Sequence, residues 1–200
     1  MKDNVFFVSG IDTNVGKSYA TGYLAKTWNE QGVRTITQKF IQTGNVGMSE
    51  DIELHRKIMG TGLLPEDESG LTMPEIFTYP CSPHLAAEID HRPIDFDKIE
   101  KATRQLSETY DAVLLEGAGG LMVPLTRDLL TIDYVAQKNY PLIFVTSGKL
   151  GSINHTLLSL EAVTRRGIRL HTVAYNLFPE EDDDIIRRDT EAYISDLLAK

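Results

Sequence analysis

The chain has one cysteine, Cys81, in 200 residues, so an intramolecular disulfide is impossible and cysteine usage gives no sign of an oxidising compartment. Basic charge is scarce as well. Twenty Lys and Arg stand against 29 Asp and Glu, a formal net charge of −9. So acidic a chain lacks the basic stripe that general nucleic-acid binding needs. No apolar run is long enough to span a bilayer. The first residues, Met-Lys-Asp-Asn, lead straight into an apolar run with no secretory leader. The expectation is a soluble, cytoplasmic protein with neither nucleic acid nor membrane as partner. The five histidines fall in no metal-ligand spacing, and His84 and His91 read as ordinary polar residues.

What is present is an alternation of strand and helix patterns. Val5–Ser9, Arg34–Lys39, Asp111–Glu116, Leu142–Thr146 and Leu170–Asn176 read as strands, mostly short and apolar. Helices are expected from Ser18 to about Gln31, with Tyr19, Tyr23, Leu24 and Trp28 at helical spacing, and over Ser49–Met59, Asp95–Thr109, Thr131–Lys138, Ser152–Arg166 and Asp182–Leu198. Ser82-Pro83 can open a further short helix. Thr61–Pro80, with scattered glycines and prolines, reads as an irregular excursion. The pattern predicts one α/β domain over residues 1–200, a three-layer sandwich with a mostly parallel, doubly wound sheet. In such sheets ligands gather at the carboxyl ends of the strands.

The first strand runs into Gly10-Ile11-Asp12-Thr13-Asn14-Val15-Gly16-Lys17-Ser18 and then a helix. Strand, glycine, Gly-Lys-Ser and helix form a phosphate loop. Its backbone N–H groups cradle phosphate oxygens, its lysine neutralises the outer phosphates, and its serine hydroxyl suits Mg²⁺. This loop is one residue longer than the common pattern, with Ile11 at the usual glycine position. Nucleoside triphosphate chemistry is the implication.

Two other strands end in charge. Glu116 closes an apolar strand, where an acid is costly unless paired; it fits a role toward Mg²⁺ or a cap on the loop Gly117-Ala118-Gly119-Gly120. Lys39 closes another, either as a solvated end or as a cation for a transferring phosphoryl group, with Thr43-Gly44 four residues on. Asp51 near a helix start is a cap or, with Ser18 and Glu116, a third hard oxygen ligand for Mg²⁺. Gly148-Lys149-Leu150-Gly151-Ser152-Ile153-Asn154-His155 opens a helix, either as an anion site or with Ser152 as a simple N-cap. Asn176 is a base-reading amide or a turn former.

Taken together, these segments resemble the dethiobiotin synthetase family. The likeness rests on the long phosphate loop, Lys39-Phe40-Ile41-Gln42-Thr43-Gly44, Ser82-Pro83-His84, Glu116-Gly117-Ala118-Gly119-Gly120 and Lys149-Leu150-Gly151-Ser152-Ile153-Asn154-His155, in that order, and spans about residues 5 to 176. The resemblance implies a phosphate-loop NTPase-like fold and an ATP- and Mg²⁺-dependent carboxylation and ring closure of 7,8-diaminononanoate with CO₂. By resemblance, Lys17 and Lys39 hold carbamate and γ-phosphate oxygens, and Ser18, Asp51 and Glu116 hold Mg²⁺. Thr13 and Thr43 contact substrate or phosphate. Asn14, Val15, Gly16, Lys17, Ser18 and Tyr19 wrap the nucleotide with Gly117, Ala118 and Gly119, and Asn176 faces the base. The family works as a homodimer, in which Leu150, Gly151, Ser152, Ile153 and Asn154 bind the substrate carboxylate from the neighbouring subunit. Asn14 stands where a glutamate is often found, Phe40 stands where a proline is usual, and a further strand and loop follow in the family, so a C-terminal segment is expected to be missing after Lys200. Two other readings share the fold: a cobyrinate-type amide-forming enzyme, for which lone Cys81 is poor material, and a partition-type ATPase switch, whose second loop lysine is absent from Gly10-Ile11-Asp12.

Overall fold

A computed structural model describes residues 3–177 and 183–198. Five parallel strands form the central sheet in the order β2-β5-β1-β6-β7: β1 (Val5–Gly10), β2 (Thr35–Lys39), β5 (Ala112–Glu116), β6 (Leu142–Ser147) and β7 (Leu170–Asn176). The helices are α1 (Lys17–Glu30), α2 (Glu50–Met59), α3 (Pro65–Glu68), α4 (Pro83–Ile89), α5 (Phe96–Thr109), α6 (Thr131–Lys138), α7 (Ser152–Arg165) and α8 (Asp184–Leu198). The expected start of the last helix, Asp182, lies outside the described residues. Among the described residues no helix is long and apolar enough to cross a membrane.

Alternation along each strand divides two cores. Phe7, Ile36, Val113, Leu115, Leu142 and Phe144 join side chains from α5, α6 and α7 on one face. Val8, Leu114, Ile143 and Val145 pack with Val15 and Ala25 on the other, the side of α1. With a period of two, Thr37 and Lys39 on β2, and Leu114 and Glu116 on β5, share the α1 face. The sheet therefore delivers two charged strand ends to one side.

Differences from the sequence pattern have identifiable causes. Tyr19 and Tyr23 are more than half exposed, and α1 buries Thr21, Gly22 and Ala25 instead. Helical spacing alone places aromatics on a common face without saying which face is covered. Within the expected excursion, α3 starts at Pro65, and the two-residue strand β4 (Ile76–Phe77) pairs in parallel with another, β3 (Gln42–Thr43), that precedes α2. Elements this short carry no readable period.

The excursion is anchored by a buried ion pair. Arg56 on α2 makes a bidentate contact with Asp67 of α3, Nε to Oδ2 and Nη2 to Oδ1, both at 2.8 Å. Asp67 also accepts from the Leu64 N–H and the Thr72 hydroxyl. Burial alone raises a carboxyl pKa, but here the Arg56, Thr72 and Leu64 hydrogen bonds outweigh it and hold Asp67 below the usual carboxylate range. Removing the charge strands a buried guanidinium. Asp67→Asn should lower the unfolding free energy at pH 7 by about 3–5 kcal/mol, read by urea denaturation. A depressed folded pKa gives stability that is present above the unfolded value and lost as pH falls through the folded one. The gap between wild type and variant should therefore narrow below about pH 4. A gap independent of pH would show that the Asp67 charge is not what holds the excursion.

Candidate active site

The parallel register of β2 and β5 pairs Lys39 with Glu116. Both are buried, and Lys39 Nζ lies 2.8 Å from Glu116 Oε1 and 2.5 Å from Asp51 Oδ2. Asp51 is free to reach the site because Ser49 caps α2: its hydroxyl accepts from the Ile52 N–H at 3.2 Å. Capping by Asp51 is thereby set aside. Ser18, in the first turn of α1, donates its single hydroxyl hydrogen between Asp51 Oδ1 at 2.5 Å and Glu116 Oε1 at 2.9 Å. One serine and two carboxylates, from three distant segments, make an all-oxygen set of the kind a hard divalent cation takes.

Electrostatics hold these groups in their charged forms. Burial favours neutral Lys39, but Glu116 and Asp51 overcome it and raise its pKa. Burial likewise favours protonated Glu116, and Lys39 and His55 overcome that, pulling the carboxyl far below its usual range. Lys17 differs. Its ammonium donates to the Asp12 carbonyl at 2.8 Å, and burial lowers its pKa to about 8, only partly offset by Glu116 and further lowered by Lys39.

The phosphate loop is set by close packing. Gly16 lies in the left-handed region with φ +96°, and a Cβ there would sit 2.1 Å from Asn176 Nδ2. Asn176 donates to the Val15 carbonyl at 2.8 Å, tying the end of β7 to the loop. Asn14 is also left-handed, φ 59°, which asparagine tolerates. Val15 buries its side chain in the core, which anchors the loop. Gly117 packs on Phe7, where a Cβ would lie 2.8 Å from the ring.

A cavity of about 710 Å³ opens at these strand ends. Thr13, Asn14, Gly16, Lys17, Ser18, Tyr19, Lys39, Thr43, Asp51, Glu116, Ala118 and Gly119 line it. The opposite wall, Pro80, Cys81, Ser82 and Pro83, is carried there by the β3–β4 pair and the start of α4. Leu150, Gly151, Ser152, Ile153 and Asn154 do not line this cavity. Gly151, not Ser152, takes the cap position of α7, and Ser152 Oγ pairs with Ser147 Oγ at 3.0 Å. Leu150 is 78% exposed.

Sequence reasoning missed His55. It is fully buried, with Nε2 2.8 Å from Glu116 Oε2 and Nδ1 3.0 Å from the Thr37 hydroxyl. Its one signal was the four-residue spacing from Asp51, which puts both on one face of α2.

The fold and this loop define a phosphate-loop NTPase-like protein. The kinase domain of the Escherichia coli tyrosine kinase ETK shares the architecture at 15% identity, with a TM-score of 0.52 over 88% of this chain and 69% of that one. A family model described as an AAA domain matches residues 4–197. An ATP-dependent dethiobiotin synthetase BioD 2 of Pasteurella multocida is 53% identical over 98% of this chain and 92% of its own length. A protein of the same description from Haemophilus influenzae is 57% identical over 92% of this chain and 96% of its own. The chain belongs to the dethiobiotin synthetase family.

A phosphate placed against Lys17 would raise its pKa from about 8. Nucleotide binding should then be nearly proton-neutral at pH 7 and take up a growing fraction of a proton as pH rises past 8. Calorimetry in buffers of different ionisation enthalpy reads this directly, and Lys17→Met should abolish the uptake. Proton release in that range would contradict the assignment of Lys17 to the phosphates.

Proposed function

We propose that the protein catalyses ATP- and Mg²⁺-dependent carboxylation and ring closure of 7,8-diaminononanoate to dethiobiotin. The observation that carries this reading is the meeting of Lys39, Asp51, Glu116 and Ser18 within hydrogen-bond distance at the mouth of the phosphate loop. Homologues named ATP-dependent dethiobiotin synthetases support the substrate.

In the proposed sequence one amine adds to CO₂, giving a carbamate and releasing a proton. A carbamate oxygen attacks the γ-phosphorus, and ADP leaves, forming a carbamic–phosphoric anhydride. The second amine attacks the carbonyl carbon, the carbon–oxygen bond to phosphate breaks, and phosphate and a proton depart. The chain needs no protein nucleophile for this; positioning and charge neutralisation dominate. Lys17 and Lys39 neutralise carbamate and γ-phosphate oxygens. Thr13 and Thr43, both lining the cavity, orient them, and Asn14, Gly16, Ser18, Tyr19, Ala118 and Gly119 surround the phosphates. Ser18, Asp51 and Glu116 would hold Mg²⁺. Among the described residues no group of three or more His, Cys, Asp or Glu forms a protein-only metal cage. The donor set thus suits an ion that keeps water and substrate oxygens. Bound there, Mg²⁺ would supply charge neutralisation to the phosphates.

Residues 150–154 lie outside the cavity, and the exposed Leu150 ahead of α7 fits a role in the site of a second copy. We propose a homodimer with the substrate carboxylate at α7 of the neighbour.

The direct test supplies diaminononanoate, bicarbonate, Mg²⁺ and ATP and looks for dethiobiotin by mass. ATP hydrolysis indifferent to the diamine, with no ureido product, would sink the reading and favour an ATPase switch. Lys39→Ala should cut ring formation by about 10²–10³-fold, measured as kcat on folded protein. An unchanged rate would remove Lys39 from the chemistry.

A further inference from the structure

The proposed chemistry leaves a buried group at the site without a role. His55 sits behind Glu116, on the side away from the cavity. Glu116 is held as a carboxylate, which can only accept, so the hydrogen between the two is carried by His55 Nε2 and donated to Oε2 at 2.8 Å. His55 Nδ1 lies 3.0 Å from the Thr37 hydroxyl, whose oxygen also accepts from Arg56 Nη1 at 2.9 Å. The guanidinium behind Thr37 is balanced by Asp67, so the chain Asp67–Arg56–Thr37–His55 ends in the donor to Glu116.

We propose that His55 is a positioning residue, an N–H donor that fixes the Glu116 carboxylate so that Oε1 faces the cation and phosphate site. This rests on the reading of Glu116 as a metal ligand. Glu116 Oε1 already receives Ser18 and Lys39, and Oε2 receives His55. A carboxylate pinned through Oε2 cannot rotate about its terminal bond to trade its oxygens. Hydrogen bonds to the far side of a metal ligand orient it and set its affinity.

The test measures Mn²⁺ binding by paramagnetic resonance on the full chain with a non-hydrolysable ATP analogue. His55→Leu and Thr37→Val should each weaken Mn²⁺ binding by roughly 10–100-fold, with analogue binding in the absence of metal unchanged. His55→Gln and Thr37→Ser, which keep the donor and the hydroxyl, should recover most of the loss. A Glu116→Gln control separates the two ideas. If it leaves Mn²⁺ affinity intact, Glu116 is no ligand and both fail; if it weakens Mn²⁺ while His55→Leu does not, only the role of His55 fails. Should the leucine and valine variants not fold, nitrogen-15 NMR of the wild type decides. A hydrogen on His55 Nε2 supports the proposal, and an Nε2 without one overturns it.

Discussion

The arrangement of the site follows from one constraint: a carboxylate and a lysine are buried against each other, with Asp51 beside them. Burial disfavours the charge on both; Lys39 pulls the Glu116 pKa down against it, and Glu116 and Asp51 raise that of Lys39. The parallel register of β2 and β5 meets this constraint at the level of the backbone, since a one-residue slip would send either charge into the apolar face formed by Phe7, Ile36 and Leu115. The phosphate loop, α2 and the β3–β4 pair are then arranged around a fixed charge cluster. A triphosphate arriving there meets groups already held in their reactive ionisation states.

Much of this was legible from the chain. Apolar runs halted by Lys39 and Glu116 announced two strands whose ends carry charge, because burial tolerates an ion at a strand terminus only where something answers it. The phosphate loop was legible because glycine, lysine and serine are each required by backbone or charge. Asp51 was ambiguous: an acid at a helix start satisfies a cap and a ligand role equally well in one dimension. Ser49 resolves it by taking the cap, which depends on side-chain direction rather than residue type. His55 and Thr37 were invisible because their meaning comes from partners 61 and 18 residues away. The two-residue strands β3 and β4 were invisible for a different reason, since pairing creates them and no local periodicity precedes it.

The segment Thr61–Pro80 reads in the sequence as an irregular excursion. In the fold it has two tasks. It supplies Asp67, which balances Arg56 behind the site, and its end leads Pro80, Cys81, Ser82 and Pro83 to the wall of the cavity. Burial, with Asp90 nearby, pushes the Cys81 thiol up, so this wall presents a neutral sulfhydryl rather than a thiolate. The anionic ligands expected in the cavity thus meet cations on the sheet side and neutral groups opposite.

The strand order has a temporal side. The central strand β1 is made first, yet its neighbours are β5 and β6, so each of its edges waits for residues beyond 111 and 141. At roughly 5–20 residues per second on the ribosome, that interval is on the order of 5–20 s. Throughout it Val5, Phe7 and Val8 have no sheet partner from their own chain, and the phosphate loop has no Glu116 to face. Until then β1 is an apolar strand with both edges open. Nucleotide therefore cannot assist the earliest folding of this protein through the Ser18–Glu116 pair, and any ligand-assisted step belongs to the chain after β5 has left the ribosome.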